Sequence, residues 1–170
     1  MHTLIRLLSV SLLAGICSLA QTTASNAATP DRKDTMTTHH AKGSFEVKIS
    51  PQASPDLPPG VLGRMSIDKT FDGDLEATSK GEMLTAGSGG KGSSGGYVAL
   101  EEVTGTLNGR SGTFVLQHNA TMNRGVPQLN IIVVPGSGTG QLAGLTGTMN
   151  IIITDGKHAY DFEYTLPEPH

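Results

Sequence analysis

Apolar and polar residues alternate along most of the chain after residue 43. Phe45, Val47 and Ile49 are separated by polar residues, which is typical of a strand with one covered face. The same period-two pattern predicts further strands, at residues 61–71, 75–86, 97–107, 113–122, 129–134, 148–154 and 158–166. No stretch of useful length has helical spacing. The sequence therefore predicts an all-β protein.

Short turns that contain glycine separate the predicted strands. Asn108-Gly109 and Asp155-Gly156 are the strongest hairpin signals, because a type I′ turn needs positive φ at both central residues. Successive hairpins give an antiparallel meander, and a meander with no evident protection of its edge strands favours closure. We therefore predict a closed antiparallel eight-stranded barrel, with a β-sandwich as the alternative.

The first 27 residues have the pattern of an export signal. Arg6 precedes an apolar run over residues 7–20, and Ser25-Asn26-Ala27 fits a cleavage site. The run is shorter than the roughly 20 apolar residues that a membrane-spanning helix needs. The sequence predicts a secreted or periplasmic protein with no membrane span after the signal is removed. If translation starts at Met36 instead, the protein is cytoplasmic.

The rest of the chain is interpreted as one domain. Residues 28–42 lack apolar periodicity and predict a flexible tether, and residues 43–167 form the barrel domain. The glycine-rich residues 88–96 predict a flexible loop between two strands. A length of 170 residues with 36% hydrophobic content is ordinary for one domain of modest size.

Composition excludes several kinds of chemistry. Cys17 lies in the predicted signal, so the mature chain has no disulfide, thiol or cysteine-based zinc site. The mature chain keeps 11 basic and 15 acidic residues, and this acidic balance argues against nucleic acid as a partner. His39 and His40 point in opposite directions in an extended chain, so we expect no metal site and assign no cofactor.

One continuous stretch resembles a known family. Residues 105–149, "GTLNGRSGTFVLQHNATMNRGVPQLNIIVVPGSGTGQLAGLTGTM", resemble a bacterial domain-of-unknown-function (DUF) family whose barrel is similar to that of allene oxide cyclase. The likeness covers residues 42–167 and is most specific in "LNGRSGTFVLQH" and "GTGQLAGLTGTM". The resemblance implies an antiparallel eight-stranded barrel, often a homo-oligomer, whose interior can hold a small apolar ligand. No stretch matches the cyclase's own catalytic positions, so no catalytic residue is transferred.

His118 is the first candidate for chemistry. It alternates with polar residues in strand 113–122 and shares a face with Leu116 and Ala120. Burial among apolar groups disfavours the charged imidazole unless an acid partners it, and a neutral imidazole can donate or accept a proton. The alternative is a core histidine whose hydrogen bonds go to the backbone or to a neighbouring strand.

Glu101 is the expected acid partner. Counting residues away from the predicted hairpin turn places Ala99 opposite His118 and Glu101 opposite Leu116. Glu101 and His118 are then diagonal neighbours on one face, within reach of long side chains. We predict catalytic roles for His118 and Glu101. A slip of one residue would transfer the partnership to Glu102.

An eight-stranded barrel has an interior that side chains fill or that holds one small ligand. The residues we expect to bind such a ligand are Tyr97, Phe114, Leu116, Met122, Tyr160, Phe162 and Glu82. The aromatic residues of the last strand can stack on an unsaturated ligand, and an ordinary aromatic core is the alternative. For Glu82, the alternative is a solvated face shared with Lys80 and Glu76.

Three functions are compatible with this pattern. We expect a non-enzymatic protein that binds a small apolar molecule inside the barrel. A cyclase or isomerase that uses the same cavity, with His118 and Glu101 moving protons, is the alternative. A structural or interaction protein would follow if the interior is packed solid.

Export predicts the N-terminus of the mature protein. We expect protein recovered from the periplasm or the medium to begin near Ala28, because cleavage after Ala27 removes the apolar run. The intact mass of the purified protein checks this expectation. A cytoplasmic chain that begins at Met36 would contradict it.

Overall fold

The computed structural model describes residues 37–57, 60–87 and 92–167, so the predicted signal peptide lies outside the described residues. The strands are β1 Thr38–Gln52, β2 Leu62–Gly73, β3 Leu75–Gly87, β4 Gly95–Leu107, β5 Arg110–Asn123, β6 Val126–Val133, β7 Thr146–Thr154 and β8 Lys157–Thr165. One turn of 3₁₀ helix, Gly140–Leu142, lies between β6 and β7. In these ranges there is no helix long and apolar enough to cross a membrane.

The eight strands form a closed antiparallel barrel. Each strand pairs with the next one in sequence, and β1 also pairs with β8. The β6–β7 pairing is short, since it consists of Ile132 opposite Thr148. The predicted eight-stranded barrel is therefore confirmed, and the β-sandwich alternative is wrong.

Two predicted boundaries need correction. β1 begins at Thr38, so residues 38–42 belong to the barrel and not to a tether. These residues escape pattern recognition because their inward side chain, the fully buried Ala41 opposite Phe162, is small and weakly apolar. At the other predicted flexible segment, Gly95 and Gly96 are already paired as the start of β4.

The hairpin turns have the conformation that their sequences predict. Asn108 and Gly109 have φ values of 46° and 81°, and Asp155 and Gly156 have φ values of 52° and 76°. These positive values are those of type I′ turns. The first turn sets Leu107 opposite Arg110, which is the register that the sequence predicts.

One half of the barrel interior is closely packed. In this packed half the rings of Phe114 and Phe162 stack with their centroids 5.9 Å apart. Leu142 and Leu145, from the connection between β6 and β7, are fully buried in the same core. The other large residues of the packed half are Phe71, Leu75, Val103, Leu107, Leu116, Ile131, Met149, Tyr160, Tyr164 and Leu166.

Backbone contacts hold the connection between β6 and β7 against β5. The amide of Thr139 donates to the carbonyl of Thr113 at 2.9 Å, and the amide of Thr113 donates to Oγ1 of Thr139 at 3.0 Å. Gly112 makes this approach possible, since a Cβ there would lie 2.1 Å from the carbonyl oxygen of Thr139. The connection therefore continues beside β5 where β6 ends.

Tyr160 joins the packed half to the β2–β3 turn. Its hydroxyl accepts a hydrogen bond from the buried amide of Leu75 at 2.8 Å and lies 3.3 Å from the carbonyl oxygen of Asp72. Burial raises the pKa of the Tyr160 hydroxyl. The hydroxyl thus stays protonated and satisfies a backbone donor that water does not reach.

The Tyr160→Phe substitution tests this contact. We expect the free energy of unfolding to fall by about 1–3 kcal/mol, because the amide of Leu75 loses its acceptor in a buried site. Urea unfolding of the variant measures the loss. Tyr164→Phe is the control, because its hydroxyl accepts from the partly exposed Asn108 side chain at 2.8 Å, where water can replace it. An equal loss in both variants would contradict the assignment.

Candidate functional site

The half of the barrel opposite the packed half encloses a cavity of about 650 Å³. We call this cavity the cup. It opens between the β5–β6 and β7–β8 turns and the ends of β3 and β4. Its walls are largely apolar and include Val47, Met65, Ile67, Met83, Tyr97 and Ile151. Its rim carries apolar side chains that are 38–64% exposed, namely Ile49, Met122, Leu129 and Ile153.

Small inward residues explain why this half stays open. At the level of the cup, the inward positions of β3, β4 and β5 include Gly87, Gly95 and Ala120. In the packed half the same face of β5 carries Phe114 and Leu116. The face toward the interior is thus continuous, and the size of its side chains changes along the barrel axis.

A cluster of four buried polar side chains lies between the two halves. Each comes from a different neighbouring strand: Lys69 from β2, Ser79 from β3, Glu101 from β4 and His118 from β5. Lys69 and His118 line the cup, whereas Glu101 lies behind them and is fully buried. We call these four residues the polar floor.

Glu101 is the centre of the polar floor. Lys69 Nζ donates to Oε2 of Glu101 at 2.6 Å, and the hydroxyl of Ser79 donates to Oε1. His118 Nε2 lies 2.9 Å from Oε2, although the direction of this contact is poor for a hydrogen bond from Nε2. Both oxygens of one buried carboxylate are therefore shared among three neighbours.

These contacts hold Glu101 ionised. Burial alone raises its pKa, but the contacts with His118, Lys69 and Ser79 outweigh burial and lower the pKa of Glu101 to about 2. Burial also raises the pKa of Tyr97, and the negative charge of Glu101 adds to that rise. The carboxylate is consequently an anion at every pH at which the barrel is expected to function.

Two aromatic rings lie beside the cation of the floor. Lys69 Nζ lies 5.2 Å from the ring centroid of Phe45 and 5.6 Å from that of Phe71. An ammonium group at such distances is attracted by the electron-rich ring faces. The rings and Glu101 together compensate a lysine whose side chain is 4% exposed.

The sequence predicted half of the polar floor. The register that places Ala99 opposite His118 and Glu101 opposite Leu116 is confirmed, and Glu102 lies exposed on the outer face. Lys69 and Ser79 were missed. Their signal was present in the pattern, because each occupies an inward position in an otherwise apolar or small series: Met65, Ile67, Lys69, Phe71 in β2 and Leu75, Ala77, Ser79, Gly81, Met83 in β3.

The predicted ligand-binding residues separate into three groups. Tyr97 and Met122 line the cup. The expectation for Phe114, Leu116, Tyr160 and Phe162 needs correction, because all four belong to the packed half and do not line the cup. Period two predicts which face a residue occupies, but not its level along the barrel axis.

Glu82 lies outside the barrel interior, where it lines an outer groove together with Arg64, Leu84 and Leu100. Its carboxylate accepts a 2.7 Å hydrogen bond from Arg64 Nε on the outer surface. The two side chains are 59% and 49% exposed. This is the solvated environment that was the alternative for Glu82.

The described residues contain no group of three or more histidine, cysteine, aspartate or glutamate side chains that could hold a metal ion. The polar floor has one carboxylate and one imidazole, together with a lysine and a serine. Its geometry is suited to holding a polar group of an organic molecule beside Lys69 and His118.

Fold and site together define a class: a closed eight-stranded antiparallel barrel with one packed half and one open half above a buried polar cluster. Residues 41–164 match the DUF3224 family, described as a protein of unknown function, and the chain belongs to this family. A crystal structure of a DUF3224-family protein of unknown function from Shewanella oneidensis MR-1 is similar, at 49% sequence identity and a TM-score of 0.68. The similarity covers 79% of this chain and 99% of that one. Among curated proteins, no match is found.

The Glu101→Gln substitution tests how the floor is held together. We expect a loss of roughly 3 kcal/mol in the free energy of unfolding, because Lys69 remains a buried cation without its anion. Chemical unfolding at neutral pH measures the loss. Glu102→Gln, one residue away on the exposed face, is the matched control and should change stability by less than about 0.5 kcal/mol. Equal effects would contradict the role of Glu101.

The same carboxylate predicts a pH dependence of stability. The pKa of Glu101 is about 2 in the folded protein and 4.5 as the ordinary value, so its contribution is complete above the ordinary value. That contribution is lost as the pH falls from about 5 toward 2. Unfolding free energies measured across this range should decline more steeply for the wild type than for Glu101→Gln. Parallel curves would show that Glu101 does not titrate as described.

Proposed function

We propose that this protein binds a small, mainly apolar molecule in the cup. The volume of the cup falls within the roughly 300–1,000 Å³ of small-molecule pockets, and its apolar walls end at a few polar groups, as such pockets do. The observation that carries the proposal is the contrast within one barrel, because side chains fill one half and a cavity of about 650 Å³ remains in the other. An open cup also argues against a purely structural role.

The lining supports a ligand of adaptable shape. Met65, Met83 and Met122 contribute flexible thioether side chains to the cup, and methionine adjusts to ligands of different outline. Apolar residues continue to the exposed rim. A ligand in the cup would therefore cover apolar surface that is otherwise in contact with water.

A cyclase or isomerase acting in the same cup is the second candidate function. It is supported by the position of His118, which lines the cup with the ionised Glu101 directly behind it. An imidazole so placed can exchange a proton with a bound molecule. In that case His118→Gln would abolish turnover of the natural ligand while its binding is retained.

Export is part of the proposal and rests on the sequence of residues 1–27. A protein that acts outside the cytoplasm is best isolated from its natural source. Native mass spectrometry of such a preparation looks for a co-purifying small molecule, and its repeated absence across growth conditions would weaken both functions.

Filling the cup tests the binding function directly. The uncharged fluorescent probe N-phenyl-1-naphthylamine should bind the wild-type protein. Ala120→Phe should weaken that binding roughly tenfold or more, because the added ring occupies cup volume that the ligand needs. Fluorescence titration measures the dissociation constant.

Asn119→Phe is the matched control for Ala120→Phe. It adds the same ring to the exposed face one residue earlier in β5 and should leave the dissociation constant unchanged. If the wild type does not bind the probe, or if both variants bind equally, the cup is not the binding site.

A further inference from the structure

We infer that the ligand of the cup carries a carboxylate, and that this carboxylate lies on the polar floor against Lys69 and His118. The inference rests on the proposed binding function and specifies its ligand as an amphiphilic acid. It follows from which floor atoms can still make hydrogen bonds and from the charges that face the cup.

The carboxylate of the protein itself is not available to a ligand. Glu101 is fully buried, and its oxygens already interact with Lys69, Ser79 and His118. A ligand hydroxyl or amine that enters the cup therefore finds no free acidic acceptor at the floor. Ligands that need such an acceptor are disfavoured, because their donors would be buried without a partner.

The floor instead offers donors. An ammonium group has three N–H donors, and the described hydrogen bond of Lys69 is the one to Glu101 Oε2. Lys69 lines the cup, so its remaining donors can reach a ligand oxygen. Hydrogen bonds from a charged donor to a charged acceptor are the stronger ones.

The cup is lined by a cation and by no carboxylate. Its ionisable lining residues in the described chain are Lys69, His118, His158 and Tyr97, and neither aspartate nor glutamate is among them. Lys69 is thus the cation that a ligand carboxylate can contact from the cup. That attraction is stronger in a site of low dielectric than in water.

The shape of the cup determines which apolar tail the ligand can carry beyond its carboxylate. A carboxylate at the floor directs the remainder of the ligand along the apolar walls toward the rim, where Ile49 and Ile153 remain 50% and 64% exposed. An acid with an unbranched apolar tail has this distribution of polar and apolar surface. The inferred ligand class is thus a medium-chain carboxylic acid.

Paired probes test the inference. Decanoate and decanol have the same tail and differ in the head group, and each is titrated against bound N-phenyl-1-naphthylamine. We expect decanoate to displace the probe from the wild-type protein at roughly tenfold lower concentration than decanol, as a charge-assisted contact predicts.

The double variant Lys69→Met/Glu101→Gln removes the buried charges together, which folded proteins tolerate better than loss of one partner. In it we expect the two probes to differ by less than about twofold. Lys80→Met/Glu102→Gln is the control, because these paired residues are exposed on the outer face, and it should keep the wild-type preference. His118→Gln should reduce the preference while Glu101 keeps its lysine partner.

The outcomes separate this inference from the binding function. If decanoate and decanol bind equally well, or decanol binds better, the carboxylate assignment is wrong while the cup remains a binding site. If neither displaces a probe that Ala120→Phe shows to lie in the cup, the cup does not bind such chains and the inferred ligand class is wrong, while the binding function stands. A preference for decanoate that survives in the Lys69→Met/Glu101→Gln protein would place the carboxylate elsewhere.

Discussion

The buried ion pair between Lys69 and Glu101 is the constraint on which the rest of the structure depends. Removing two charges from water is costly. Their attraction offsets that cost only when the two groups are close and additional hydrogen bonds satisfy their other polar atoms. Here the distance is 2.6 Å, Ser79 donates to the other carboxylate oxygen, and the rings of Phe45 and Phe71 lie beside the ammonium group. The pairing of β2, β3 and β4 must bring all these groups to one level, so this cluster favours one register of these strands over its alternatives.

The same cluster divides the barrel into two functional parts. Below it, large side chains such as Phe114 and Tyr160 interlock, and the resulting core supplies stability. Above it, Gly87, Gly95 and Ala120 leave space, and the cup can accept a ligand without disturbing that core. The floor faces both parts: Glu101 stabilises the fold from behind, while Lys69 and His118 line the cup.

Particular residues show how far pattern reasoning reached. Counting from Asn108-Gly109 gave the correct neighbours of His118, because a two-residue turn leaves no freedom in the register of its hairpin. The pattern did not predict Lys69, although Lys69 lies closer to Glu101 than His118 does. A lysine between Ile67 and Phe71 on an apolar face indicates a buried polar contact as clearly as His118 does between Leu116 and Ala120.

The sequence by itself determined the all-β class, the meander of hairpins, the alternation of faces along each strand and the pairing of β4 with β5. These follow from local chemistry, since turn conformation and two-residue alternation act over a few neighbouring residues. Only the tertiary structure decided which inward residues fill the core and which line the cup, and that Lys69 and Ser79 meet Glu101. Those facts depend on the level of each residue along the barrel axis. In a closed barrel, the tilt and stagger of all eight strands together set that level.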